Sequence, residues 1–112
     1  MEFISKKSIS MIIVKNDIKG EDIQHFQLSM HAFLKQKGSQ LILYISHFCQ
    51  FHHHLFDIIA DTAINAKKVN KELILCGENP QLKKEYDTRN LHFYLKYFFS
   101  LKEATKYFKN KV

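Results

Sequence analysis

Three short apolar runs, separated by segments of helical periodicity, are what most constrains the fold of this chain. The runs are residues 9–15, 40–46 and 72–76, and each has the length of a β-strand. Nearly continuous apolar strands are typical of a parallel sheet, because helices cover both of its faces. Strands that alternate with helices predict a largely parallel sheet with right-handed crossovers.

The first of the intervening segments, residues 21–37, is predicted to be a helix. Its apolar residues recur at helical spacing and form one stripe, which comprises Ile23, Phe26, Met30, Phe33 and Leu34. Gly38 follows the segment, and we expect it to end the helix at the C′ position. Residues 54–69 show similar periodicity and predict the second helix.

Helix-start signals place the later elements. Asn79-Pro80 is typical of an N-cap followed by the first helical residue, so a third helix is expected over 80–88. A capping box from Ser100 to Glu103 indicates a last helix, which ends near Lys109.

Further strands are expected at residues 2–6 and within 93–99, which gives the order β-β-α-β-α-β-α-β-α. We therefore predict a single α/β domain over residues 1–112. Its sheet should be mixed but mostly parallel, with four or five strands, and about four helices should pack on it.

The composition indicates a globular chain that folds without disulfides. Apolar residues make up 46% of it, and ten Phe and five Tyr are available for a core. Cys49 and Cys76 do not form a CxxC pair, and we expect both to be reduced and buried near strand ends. Neither a secretory signal nor an apolar run of about 18 residues is evident, so we expect a cytoplasmic protein that does not insert into membranes.

The formal net charge of +6 does not predict a nucleic-acid partner. Lysines recur along the chain with acidic residues between them, which is the pattern of a solvated surface. Nucleic-acid binding would need the basic groups to be concentrated on one face.

The run His52-His53-His54, with His47 close before it, is the most unusual feature of the sequence. Helical metal sites place their ligands three or four residues apart, and none of the seven histidines stands at either spacing from another. Consecutive side chains diverge in helices and strands, so we expect a loop to bring at most two of the run together. No metal and no other cofactor is expected.

Enzymatic motifs are missing from the sequence. It contains neither a GxSxG element nor a Gly-rich phosphate loop. Cys49 precedes His52 by three residues, but no orienting group completes a nucleophile and base pair. We therefore expect that the chain is not an enzyme.

Five segments together resemble the STAS domain family, the fold of anti-sigma-factor antagonists and of the cytoplasmic tails of sulphate transporters. The segments are Gln40–Ser46 followed by the helix from His54, Lys71–Gly77, Asn79–Tyr86, Asn90-Leu91 and Phe99–Ala104. The resemblance covers roughly residues 9–109 and is looser towards the N-terminus. It implies a regulatory domain that binds proteins, with an anti-sigma factor or kinase as the partner in a switch that regulates transcription.

The resemblance also gives the histidine run a position. In the antagonists the loop before the second helix reads Asp-Ser-Ser-Gly or close to it, and the partner kinase phosphorylates the second serine. These four positions fall on His52, His53, His54 and Leu55, so His54 occupies the phospho-acceptor position without a hydroxyl. The aspartate usual in the central strand is replaced by Tyr44.

The expected protein interface is the loop before the second helix, that helix and the neighbouring loop 77–79. Its residues are His47, His52, His53, His54, Leu55, Asp57, Ile58, Asp61, Glu78 and Asn79. Two alternatives stay open: an auxiliary STAS subunit of an ABC lipid transporter, and a sensor that binds a metal or small ligand through the His47–His54 loop. The sequence leaves the oligomeric state and the identity of the partner open.

Overall fold

The apolar runs form a five-stranded sheet in which spatial neighbours follow chain order. A computed structural model describes residues 2–6, 9–36, 38–46 and 50–110. The strands are β1 (Glu2–Lys6), β2 (Ile9–Val14), β3 (Gln40–Ile45), β4 (Glu72–Cys76) and β5 (Tyr97–Phe98). β1 pairs with β2 in antiparallel orientation, and every later neighbour pairs in parallel.

Four α-helices connect or follow these strands. They are α1 (Ile23–Leu34), α2 (His54–Lys68), α3 (Pro80–Thr88) and α4 (Leu101–Lys109), with 3₁₀ turns at Gly20–Asp22 and Leu91–Phe93. The predicted element order and the mixed, mostly parallel sheet are confirmed. None of the helices in the described part of the chain is long and apolar enough to cross a membrane.

The first helix is shorter than predicted. It ends at Leu34, the last residue of its apolar stripe, and not at Lys37, which lies outside the described residues. The ammonium of Lys71 donates hydrogen bonds to the carbonyl oxygens of Leu34 and Gln36, which satisfies acceptors that the helix leaves open. Gly38 has a φ of 96°, but it lies beyond the end of the helix, so the prediction that it is the C′ residue is wrong.

The core lies on both faces of the sheet because alternate strand residues point to opposite sides. Leu41, Leu43 and Ile45 of β3 join the larger cluster, to which α1 and α2 contribute. Ile42 joins a smaller cluster with Phe108 of α4 on the other face. This two-sided burial explains why the central runs are apolar without alternation.

The predicted helix caps are confirmed. The Asn79 side-chain oxygen accepts hydrogen bonds from the N–H groups of Gln81 and Leu82, and the Ser100 hydroxyl accepts one from the N–H of Glu103. Cys76 is buried at the end of β4 with a free thiol, as expected. Burial raises the pKa of this thiol to about 12. Cys49 lies outside the described residues.

Candidate functional site

The histidine run lies at the start of α2, on a loop that is tied to a distant part of the chain. The N–H of Ile18 donates to the carbonyl of Gln50 at 2.8 Å, and the N–H of His52 donates to the carbonyl of Ile18 at 2.6 Å. The N–H of Gln50 also donates to the Asp17 carboxylate at 2.8 Å. Ile18 and Phe51 thus form a parallel bridge, which fixes the path of the chain into α2.

The three imidazoles lie against one another. The ring centroids of His52 and His53 are 4.1 Å apart, those of His53 and His54 are 4.2 Å apart, and those of His52 and His54 are 5.0 Å apart. His53 already has helical dihedrals (φ −59°, ψ −28°), so the chain turns tightly at the N-cap. The expectation that at most two of these side chains converge is therefore wrong, because the loop enters α2 through helical dihedrals at His53 and brings all three rings together.

The first N–H groups of α2 already have acceptors. The N–H of His54 donates to the Nδ1 of His52 at 3.3 Å, while those of Leu55 and Phe56 donate to the carbonyls of His52 and His53. His52 therefore acts on the helix start as a cap would. These N–H groups are not available to hold an anion at this helix start.

His52 is half-buried, whereas His53 and His54 are exposed. The ring of His52 packs beside Gly20, where an added Cβ would stand 3.3 Å from the ring atom Cδ2. Partial burial, and then repulsion from the neighbouring imidazoles, lower the pKa of His52 below its usual value. The neutral form of His52 is therefore favoured.

A chain of polar contacts links the histidine run to α3. The Nδ1 of His54 lies 3.5 Å from the carboxylate of Asp57, which in turn lies 4.0 Å from the Arg89 guanidinium. Arg89 pairs with Glu85 at 2.6 Å and its guanidinium stacks over the Phe56 ring at 4.9 Å. Such partly exposed pairs contribute little to stability.

The structure divides the predicted interface residues into two groups. His53, His54, Asp57, Asp61 and Glu78 are exposed, and His52 and Ile58 are half-buried. Leu55 is fully buried in the larger core cluster, and Asn79 is 3% exposed and caps α3. These last two residues hold the fold beneath the expected surface and are not part of it. His47 lies outside the described residues.

Three residues of this region were missed by sequence reasoning. Neither Asp17 nor Gly20 carries a local sequence signal that indicates a distant partner. Arg89 reaches Asp57 only because the end of α3 packs beside the start of α2. All three contacts are distant in sequence, which local patterns do not report.

Comparisons with known proteins give a fold match only. No protein-family model and no curated protein matches the chain. Among solved structures, SpoIIAA in its unphosphorylated form, described as an anti-sigma factor antagonist, superposes with a TM-score of 0.70 at 9% identity, over 99% of this chain and 100% of that chain. The phosphorylated form of SpoIIAA, described as a Bacillus cell fate determinant, superposes with a TM-score of 0.67 at 11% identity, over 94% and 96% of the two chains.

The chain has the STAS fold of SpoIIAA. The resemblance that the sequence indicated is therefore confirmed at the level of fold, and it extends over nearly the whole chain. The SpoIIAA structures are those of an anti-sigma factor antagonist.

Proposed function

We propose that this chain is a non-enzymatic regulatory module that binds a protein partner, in the manner of an anti-sigma factor antagonist. One observation carries the proposal: a STAS fold presents an exposed polar surface at the start of α2, on a loop that backbone hydrogen bonds hold in place. We name this the α2 surface. It comprises His52, His53, His54, Asp57, Ile58, Asp61 and Glu78.

The α2 surface has no hydroxyl at the start of the helix. Residues 50–57 contain no Ser, Thr or Tyr. Thr62, further along α2, is buried and donates its hydroxyl hydrogen to the Ile58 carbonyl at 2.7 Å, so a kinase does not reach it in the folded protein. The start of α2 therefore offers no group that could form a phosphate ester, which would add a charge of about −2 and could repel a partner. We propose that the module lacks this switch.

The charge of the surface suggests what the partner presents to it. Asp57, Asp61 and Glu78 contribute three carboxylates, and the lowered pKa of His52 favours its neutral form. A complementary partner would place Lys or Arg side chains against these groups. An anti-sigma factor or its kinase domain is the partner class that the STAS resemblance favours.

Affinity capture with paired variants tests the proposal. Tag-free bait coupled through its N-terminus is compared with His54→Lys, which adds a positive charge to a surface whose proposed partner is basic. His92→Lys is the matched control, since His92 is also exposed but lies on the 3₁₀ turn after α3. We expect His54→Lys to lower retention of the partner by about fivefold or more, and His92→Lys to leave it unchanged.

The second part of the test asks whether the captured partner phosphorylates the start of α2. Incubation of the complex with ATP should leave residues 50–57 unmodified, as read by peptide mass spectrometry. Equal loss of retention in both variants, or phosphate on this segment, would contradict the proposal. Capture of an ABC transporter subunit would replace transcriptional regulation with the transporter alternative.

A further inference from the structure

The histidine run has the chemistry of a transition-metal site. His52, His53 and His54 each offer a ring nitrogen, and these three atoms all lie within 4.8 Å of one another. Within the described residues, these histidines are the one group of three or more His, Cys, Asp or Glu side chains that lie close enough together to hold a single metal ion. Imidazole nitrogen is a preferred ligand of Zn²⁺, Cu²⁺ and Ni²⁺.

We propose that the three imidazoles bind one Zn²⁺ ion and leave its fourth position open to water. A tetrahedral zinc with Zn–N bonds of about 2.0 Å requires nitrogens about 3.3 Å apart. The present spacing must therefore contract by about 1.5 Å or less, which rotation about the side-chain bonds of the exposed His53 and His54 can supply. His52, packed beside Gly20, is the fixed ligand around which the other two adjust.

Asp57 supplies the outer contact that metal-bound histidines usually have. Its carboxylate lies 3.5 Å from the Nδ1 of His54, so a proton on Nδ1 leaves Nε2 free for the ion. Such a carboxylate orients the ring and raises its basicity as a ligand. Asp57, three residues after His54, therefore has a role in metal binding that the proposed protein interface does not require.

The remaining ligand contacts are compatible with an ion. The Nδ1 of His52 accepts the N–H of His54 at 3.3 Å, which is a long hydrogen bond that coordination can displace. The partial positive charge at the start of α2 opposes a cation, and the Asp57 carboxylate in the first turn offsets it. Arg89 lies 4.0 Å from that carboxylate and neutralises it only in part.

Zinc titration of the untagged full chain tests the site. Isothermal calorimetry with ZnCl₂ should give one ion per chain with a dissociation constant below about 10 µM. His52→Ala and His54→Ala should each weaken binding at least tenfold, and Asp57→Asn should do so by about tenfold through the lost outer contact. His92→Ala and His25→Ala remove exposed histidines outside the run, and we expect them to bind as the unchanged chain does.

Thermal unfolding separates a folded site from a merely histidine-rich sequence. An unfolded chain keeps the same three histidines, so zinc raises the midpoint only if the folded arrangement binds more tightly. We expect a rise of at least 4 °C at a hundredfold excess of zinc over the dissociation constant, absent in His54→Ala.

Four results would overturn the site: a dissociation constant above about 10 µM, two chains per ion, no rise in midpoint, or unchanged binding in the run variants. Circular dichroism of each variant verifies that it is folded. The zinc measurement involves no partner protein, so its outcome is independent of the proposed function.

Discussion

Asn79 joins the end of β3 to the start of α3, and its replacement tests how the edge of the sheet next to the α2 surface is held. Its side-chain oxygen accepts from the N–H groups of Gln81 at 3.0 Å and Leu82 at 3.1 Å. Its amide nitrogen donates to the carbonyl of Ser46 at 3.0 Å. One buried side chain thus caps a helix and holds the residue that follows β3.

The expected cost of Asn79→Ala follows from these contacts. Loss of the cap costs about 1 kcal/mol, and loss of the bond to Ser46 costs about 1 kcal/mol more. The N–H of Leu82 lies in a buried contact, so leaving it without an acceptor brings the total to about 2–3 kcal/mol. Asn79→Ser keeps a capping oxygen but is too short to reach Ser46, and we expect it to cost about 1 kcal/mol.

Urea unfolding, followed by circular dichroism, measures both variants. With a slope of about 1.5 kcal/mol per M, Asn79→Ala should lower the midpoint by about 1.3–2 M, and Asn79→Ser by about 0.7 M. Equal midpoints for the two variants would show that the cap contributes nothing. An alanine variant within about 0.5 kcal/mol of the unchanged chain would refute the whole account.

Two further predictions concern the same edge of the sheet. Gly77→Ala should destabilise the fold by about 2–4 kcal/mol in the same assay. The added Cβ would overlap the carbonyl oxygen of Ile45, and Gly77 has a φ of 156°, which other residues rarely adopt. A cost below about 1 kcal/mol would contradict this geometry. Burial raises the pKa values of Cys76 and Tyr97 to about 12 from 9.0 and 10.0, so the neutral forms favour folding. This stabilisation is complete below pH 9 and is lost as the pH rises towards 12. The urea midpoint should therefore fall between pH 8.5 and 11, and it should fall less steeply in Cys76→Ala. A midpoint that does not change with pH in the unchanged chain would exclude this contribution.

The sequence predicted most of the fold because its signals are local. Run length and apolar continuity place β3 and β4 to within one residue, and Asn79-Pro80 and Ser100 mark the true helix starts. The end of α1 was predicted too late along the chain. The helix can end at Leu34 because Lys71 donates to the carbonyls of Leu34 and Gln36, and no local sequence pattern reveals this distant contact. The position of the histidine run at the start of α2 was also predictable.

The geometry of the candidate site was not predictable in the same way. Convergence of the three rings depends on helical dihedrals at His53 and on the bridge between Ile18 and Phe51. The contact between Arg89 and Asp57 depends on how α3 packs beside α2. The burial of Leu55 and Asn79 likewise comes from packing, so the interface residues predicted from the sequence included two buried residues.

The packing of Gly20 beside His52 has an evolutionary consequence. A side chain at position 20 would have to displace the imidazole by a few tenths of an ångström, since the Cβ would meet the ring at 3.3 Å. Homologues that keep the histidine should therefore keep the glycine, and those with a small residue at 52 are free to vary at 20. The two positions should therefore covary, although Gly20 lies in a 3₁₀ turn before α1 and His52 precedes α2. A glycine at position 20 in a homologue would then indicate that the histidine at position 52 is present or was lost recently.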